Sequence, residues 1–184
     1  MTRVTFGWEG FEEFDELLDQ MTMEFGVKDA RRILTRSVRQ AMQPVLWDAK
    51  INSPVDTGAL QASLQVEARK PTRKDQRSKY VDRQDTVIAT VTTASGKKLA
   101  KRKFHNVRTG KMQKGITSDG RAMAAEFGTA KEAARPFLRP ALESNQQTVV
   151  NSLGDFLKDE LEKYKARKAR KAARAIAAYQ KTLG

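Results

Sequence analysis

The sequence predicts an α+β fold: two N-terminal helices, a small antiparallel β-sheet with long basic loops, and a long C-terminal helix. Three observations predict it. Apolar residues recur at helical spacing near the N-terminus and again from about residue 141. Residues 63–67 and 86–93 have the alternation or β-branched content of strands. A breaker-rich stretch, residues 52–58, stands between the helical and strand patterns.

Each element has its own signal. Phe11, Phe14, Leu18, Met21 and Phe25 share one helix face. The acidic residues Glu9, Glu12, Glu13, Asp15, Glu16, Asp19 and Glu24 fall largely between them, biased toward the positive end of the helix dipole. Gly26 is expected to end this helix. A second apolar stripe runs through Val27, Ala30, Leu34, Val38, Ala41, Val45 and Ala49, with Pro44 kinking it or opening a new segment. Residues 52–58 are a turn. Residues 69–85 and 94–121 are basic and poor in apolar side chains, and are expected to be mobile loops. Order resumes at 122–128 and 134–142, and Val149, Leu153, Phe156, Leu161 and Tyr164 mark the face of the last helix. Beyond Tyr164 the stripe fades into Lys165-Ala166-Arg167-Lys168-Ala169-Arg170-Lys171-Ala172-Ala173-Arg174. Ala, Lys and Arg favour helix, but an alanine face buries little. The chain thus reads as one domain, 1–164 with a basic insert at 69–121, and a helical arm, 165–184, awaiting a partner.

Composition excludes several kinds of chemistry. There is no cysteine, which removes disulfides, a thiol nucleophile and cysteine-based zinc sites. The single histidine, His105, leaves no imidazole pair for a metal or a proton relay. No catalytic residue, cofactor or metal is expected. No apolar run approaches the roughly 20 residues of a membrane span. The N-terminus lacks the apolar core of a signal peptide. The expectation is a soluble chain, made inside the cell, with no membrane partner.

The net charge is +13 and unevenly spread. Residues 69–121 hold 16 Lys/Arg against 4 Asp/Glu, and residues 158–184 hold 9 against 3, so the remainder is mildly acidic. Such a layout fits phosphate neutralisation on nucleic acid, or subunits that meet acidic face to basic face, or a merely solvated surface. Lys101, Arg102, Lys103, Arg167, Lys168, Arg170 and Lys171 are the candidate contacts to DNA or a partner. Only Tyr80 and Phe104 supply aromatic rings within 69–121, too few for a stacking platform on single strands.

Two short motifs mimic catalytic ones. Val55-Asp56-Thr57-Gly58-Ala59 resembles half of an aspartic-protease site, but that chemistry needs a second carboxylate and the matching half of the fold. Gly110-Lys111-Met112-Gln113-Lys114-Gly115 has the glycine spacing of a phosphate loop, yet Ile116 and Thr117 stand where Lys and Ser/Thr belong. His105 reads as a loop residue.

Pro54-Val55-Asp56-Thr57-Gly58-Ala59-Leu60-Gln61-Ala62-Ser63-Leu64 resembles the first signature of a tailed-phage family, the tail-completion or neck proteins typified by the tenth gene product of phage Hong Kong 97. The second signature stands as Glu126-Phe127-Gly128-Thr129 followed by Arg135-Pro136-Phe137-Leu138-Arg139-Pro140-Ala141. Both occur in the family's order, over roughly residues 9–160. The lambda tail-completion protein Z is a distant, similar relative. The resemblance implies a structural virion protein, made in the bacterial host cytoplasm. It implies a place at the neck or top of the tail, as a ring of about six copies that completes the tail and joins it to the head. Implied partners are its own copies, the tail terminator or tube protein, head connector and head-closure proteins, and the tape-measure protein or genomic DNA. The interface candidates are Pro54, Asp56, Thr57, Gly58, Leu60, Glu126, Phe127, Gly128, Thr129, Arg135, Pro136, Phe137, Leu138, Arg139 and Pro140. Asp56 and Thr57 are expected to cap a helix or lock the turn at Gly58. The other class of function is a non-specific nucleic-acid binder acting through the basic loops and arm.

Overall fold

A computed structural model describes residues 18–19, 21–78, 81, 87–94, 96–116 and 120–183. Phe11, Phe14, the acidic residues Glu9, Glu12, Glu13, Asp15 and Glu16, Tyr80 and Thr86, the first residue of the predicted 86–93 strand, lie outside them. The architecture is α+β, as the sequence predicts. Residues 21–25 are helical, and Gly26 ends that helix with φ 78°, a left-handed conformation that glycine enters without steric cost. The second stripe is split at Met42 into α1 (Val27–Ala41) and α2 (Gln43–Asn52). Pro44 sits in the first turn of α2, where the N–H it lacks has no intrahelical acceptor.

The short helix α3 (Ala59–Ser63) leads directly into β1 (Leu64–Arg69), which pairs antiparallel with β2 (Ile88–Thr93) from Leu64–Thr93 to Arg69–Ile88. Next come α4 (Gly96–Leu99), a second hairpin of β3 (Lys103–Asn106) and β4 (Lys111–Lys114), and α5 (Gly120–Phe127). A single helix, α6 (Leu138–Leu183), closes the chain. At 1.5 Å per residue it is roughly 69 Å long.

The long helix is the spine. Asp29 meets Tyr164, Ser37 meets the Phe156 carbonyl, and Asp48 meets Asn145, so α1 and α2 run antiparallel along it. Two apolar clusters fill the contact. One joins Met42, Val45, Ala49, Leu64, Ala122, Phe137 and Ala141, with Val66 and Val91 of the sheet against it. The other joins Met21, Ala30, Ile33, Leu34 and Leu157. Ser37 is buried because a small side chain admits the facing backbone: its hydroxyl donates to the Phe156 carbonyl at 3.1 Å.

The mobile-loop expectation for 69–85 and 94–121 is corrected where the chain is described. Residues 96–116 form a folded unit around a third cluster, Ala94, Leu99, Phe104 and Ile116. Its apolar residues are too far apart in sequence to show a helical or strand period. The Asp75 carboxylate accepts hydrogen bonds from Arg69 at 2.5 Å and from the Thr72 amide at 2.7 Å, closing the start of the other segment. These partners, the Arg69 guanidinium foremost, hold Asp75 well below the ordinary carboxylate range.

Candidate functional site: a cleft between two turns

The first signature is a turn pinned by the second hairpin. Gly58 has φ 80°, and a β-carbon there would lie 3.1 Å from the His105 carbonyl oxygen. The Val107 amide donates to the Thr57 carbonyl at 3.2 Å, and the Thr57 hydroxyl accepts from the Ala59 amide at 3.4 Å. Thr57 thus locks the turn. Asp56 caps nothing: its carboxylate pairs with Arg108 at 3.0 Å, on the surface. Leu60 packs against the main core and Ser63 is buried, its hydroxyl donating to the Leu60 carbonyl. His105 lies on β3, exposed, rather than in a loop.

The second signature is built around one buried carboxylate. Glu126 Oε2 accepts from the amides of Phe137 at 2.8 Å and Leu138 at 2.9 Å, and Oε1 from that of Arg139 at 3.1 Å. Three amides that open α6 and have no acceptor within the helix are thereby satisfied. Burial alone would raise the Glu126 pKa; the three amides outweigh it and leave the group below the ordinary glutamate value. Between Glu126 and α6 the chain must reverse. Gly128 turns with φ 76°, and a β-carbon there would lie 2.8 Å from the Ala134 nitrogen. Thr129 Oγ1 accepts from the amides of Lys131 and Glu132, and the Arg135 amide donates to the Ala125 carbonyl at 2.7 Å. Phe137 is fully buried and Pro140 lies in the first turn of α6. The Pro136 and Pro140 rings therefore stiffen a segment that drives Phe137 into the core. Arg135 and Arg139 are exposed, as is Phe127 at 62%.

The two turns face each other across a cavity of 710 Å³, with Pro54, Asp56, Thr57, Gly58 and Leu60 on one wall. Arg121, Ala124, Ala125, Lys131, Glu132, Ala133 and Arg135 form the other. The cleft is open and mixed in charge, with Asp56 and Glu132 beside Arg121, Lys131 and Arg135. A second groove, 490 Å³, lies on the other side of Gly58, where Trp47, Ile51 and Val107 stand exposed beside Lys50, Lys103 and Phe104.

The candidate basic contacts divide. Arg102 is a strap and not a free contact: its guanidinium donates to the carbonyls of Ala62 and Leu64 and to Gln65 Oε1, tying the folded insert to α3 and β1. Lys101 and Lys103 are exposed, and Lys103 stands directly opposite Lys114 in the hairpin. Arg167 reaches back to Glu160 at 3.6 Å, and Lys168 lies over the Phe25 ring at 5.1 Å. Arg170 and Lys171 are exposed. Sequence reasoning gave Glu126 no specific role; its signal was a lone glutamate shortly before an Arg-Pro-Phe run, which becomes a cap only once the chain turns back.

Comparison with protein-family models, with curated proteins and with solved structures finds no match.

Proposed function

We propose that this chain is a structural, non-enzymatic virion protein of a long-tailed bacteriophage. It acts at the neck or top of the tail, in a homo-oligomeric ring of about six copies that completes the tail and joins it to the head. Its partners are its own copies, the tail terminator or tube protein on one side and the head connector on the other. The observation that carries the reading is the joint itself. Two signature segments far apart in sequence wall one cleft, and most of their named residues serve turns, caps and core packing rather than chemistry. Exposed Trp47, Ile51, Met123 and Phe127 give such a subunit apolar surface to cover on assembly.

Labelled electron microscopy of virions with an antibody against the arm tests this. Label confined to the head–tail junction is expected; absence of the protein from purified particles would overturn it. A second reading, non-specific nucleic-acid binding, draws on Lys103 facing Lys114 in the exposed hairpin. Like charges so placed repel, and a phosphate between them would offset the repulsion. That reading expects the logarithm of duplex affinity to fall with the logarithm of salt concentration by about 0.9 per phosphate neutralised.

A further inference from the structure

We infer that α1 carries a binding track for the phosphate backbone of a nucleic-acid duplex. Lys28, Arg31, Arg32, Thr35, Arg36 and Arg39 line an open groove of 360 Å³ along this one helix. Their spacing, i, i+3, i+4, i+7, i+8, i+11, is that of a single helix face. The other face of α1, with Ala30, Ile33, Leu34 and Ser37, is buried against α6, so the row is held in place before any ligand arrives. Lys28, Arg32, Arg36 and Arg39 are exposed. Charge summed over long segments hides this row: α1 holds five Lys/Arg against one Asp, within a part of the chain that is mildly acidic as a whole.

Among the described residues, the ion pairs of the row run to two carboxylates. Asp29 lies 3.2 Å from Arg32 and also accepts from Tyr164. Glu160 is buried and shared: Oε2 lies 3.5 Å from Arg36 and 3.6 Å from Arg167, and Oε1 lies 3.7 Å from Lys163. One carboxylate cannot offset three cations, so positive charge is left over at the surface. Arg39 donates to the Ala68 carbonyl at 3.2 Å, an uncharged acceptor that leaves its charge intact. Arg31 Nε is buried and has no acceptor among the described residues, and an anion in the groove gives that guanidinium one. The Thr35 hydroxyl already donates to the Arg31 carbonyl at 2.7 Å, so recognition falls to the cations.

A duplex backbone suits this row better than a protein or a single strand. Four of the five cations are arginines, whose planar fork matches phosphate oxygens. The row extends over roughly 17 Å of helix, and a DNA strand places a phosphate about every 3.4 Å of its axis, so the row faces about five of them. Among the described residues that line the groove none is apolar or aromatic. A protein interface is built around an apolar or aromatic core, and a single strand is held by stacking on rings. Exposed Trp47, Ile51, Met123 and Phe127 lie on other elements, α2 and α5. The track is separate from the Lys103–Lys114 hairpin and independent of the virion reading.

Fluorescence anisotropy of a labelled duplex of about 30 base pairs, titrated with the full chain in about 50 to 200 mM salt, is the test. At about 50 mM salt the wild type should bind with a dissociation constant of about 10 µM or tighter. The combination Lys28→Gln, Arg32→Gln and Arg36→Gln should reduce the slope of log affinity against log salt by about 2 to 3, at about 0.9 per phosphate contact. Arg36 also meets buried Glu160, so a second variant, Lys28→Gln with Arg32→Gln, leaves that pair in place and should reduce the slope by about 1 to 2. Circular dichroism checks that each variant folds. A wild type that does not bind, or an unchanged slope in the double variant, overturns the inference. A larger loss from Lys103→Gln with Lys114→Gln overturns it in favour of the hairpin. Displacement of the duplex by polyglutamate of equal charge gives the row to an acidic protein instead, and displacement by inorganic phosphate at matched ionic strength makes the groove a small-anion site; either overturns it. Virion labelling reads none of these, so each proposal can fail alone.

Discussion

One helix, α6, has two halves that share backbone geometry and little else. From Leu138 to Tyr164 it is anchored: Glu126 caps its first amides, and Ala141 and Leu157 are fully buried. Tyr164 donates to Asp29 at 2.5 Å. Beyond Tyr164 the described side chains are exposed, and Lys165, Arg167 and Lys168 make contacts at its base. The first half is fixed by burial and by buried polar groups that find partners. The second is helical because alanine, lysine and arginine lose little in a helix and because it continues a helix already nucleated. The same secondary structure thus serves as scaffold at one end and as an unspent surface at the other.

The contrast can be broken most severely at Phe137. Phe137→Ala empties a fully buried position between α2, β1 and α6; a loss of about 3–5 kcal/mol in urea unfolding is expected. An effect under about 1 kcal/mol would show that the anchored half does not depend on this core. Glu126→Gln comes next, at about 1–3 kcal/mol, because it weakens three charge-assisted hydrogen bonds at a buried helix start. Its pH dependence has a defined sign. The folded pKa lies below the unfolded one, so the stabilisation is present above the ordinary glutamate value of about 4.3 and is lost as the pH falls through the folded pKa. Midpoints for wild type and Glu126→Gln measured between pH 7 and pH 3, on the order of four units, should therefore converge toward acid; parallel curves would sink the capping account.

Gly128→Ala forces a β-carbon against the Ala134 backbone in a left-handed turn, at about 1–3 kcal/mol. Gly26→Ala shares the positive φ but has open space around it, so it should lose only the conformational part, about 1 kcal/mol. Equal losses at the two would show that the turn, and not the close approach, sets the requirement. The smallest effect sharpens the comparison from the other side. Deleting residues 170–184 should change stability by about 0.5 kcal/mol or less. Hydrogen exchange should find the arm amides opening far more readily than those of residues 141–161. Arm protection equal to the anchored half in the isolated subunit would remove the distinction altogether.

Much of the fold was legible because its signals are local. Met21, Phe25, Ala30, Leu34 and Val45 repeat with helical spacing, and Gly26 and the 52–58 breakers mark where that spacing stops. The β-branched run ending at Thr93 needs no distant partner to be read as a strand. The 96–116 unit was not legible: Leu99, Phe104 and Ile116 belong to three different local structures and become one cluster only when folded. The candidate site divides in the same way. The turn residues Gly58 and Gly128 show in the sequence as punctuation, whereas the obstacles they avoid, the His105 carbonyl and the Ala134 amide, belong to chain that returns later.

By itself, then, the sequence determined the class of fold, the segregation of charge and the helical character of the arm, since composition, periodicity and propensity act between near neighbours. The tertiary structure alone decided that Glu126 caps the long helix, that Arg102 is a strap while Arg170 stays exposed, and that two separated turns wall one cleft. Those facts depend on which groups lose water and which backbone amides are left to satisfy, and neither is settled until remote segments pack.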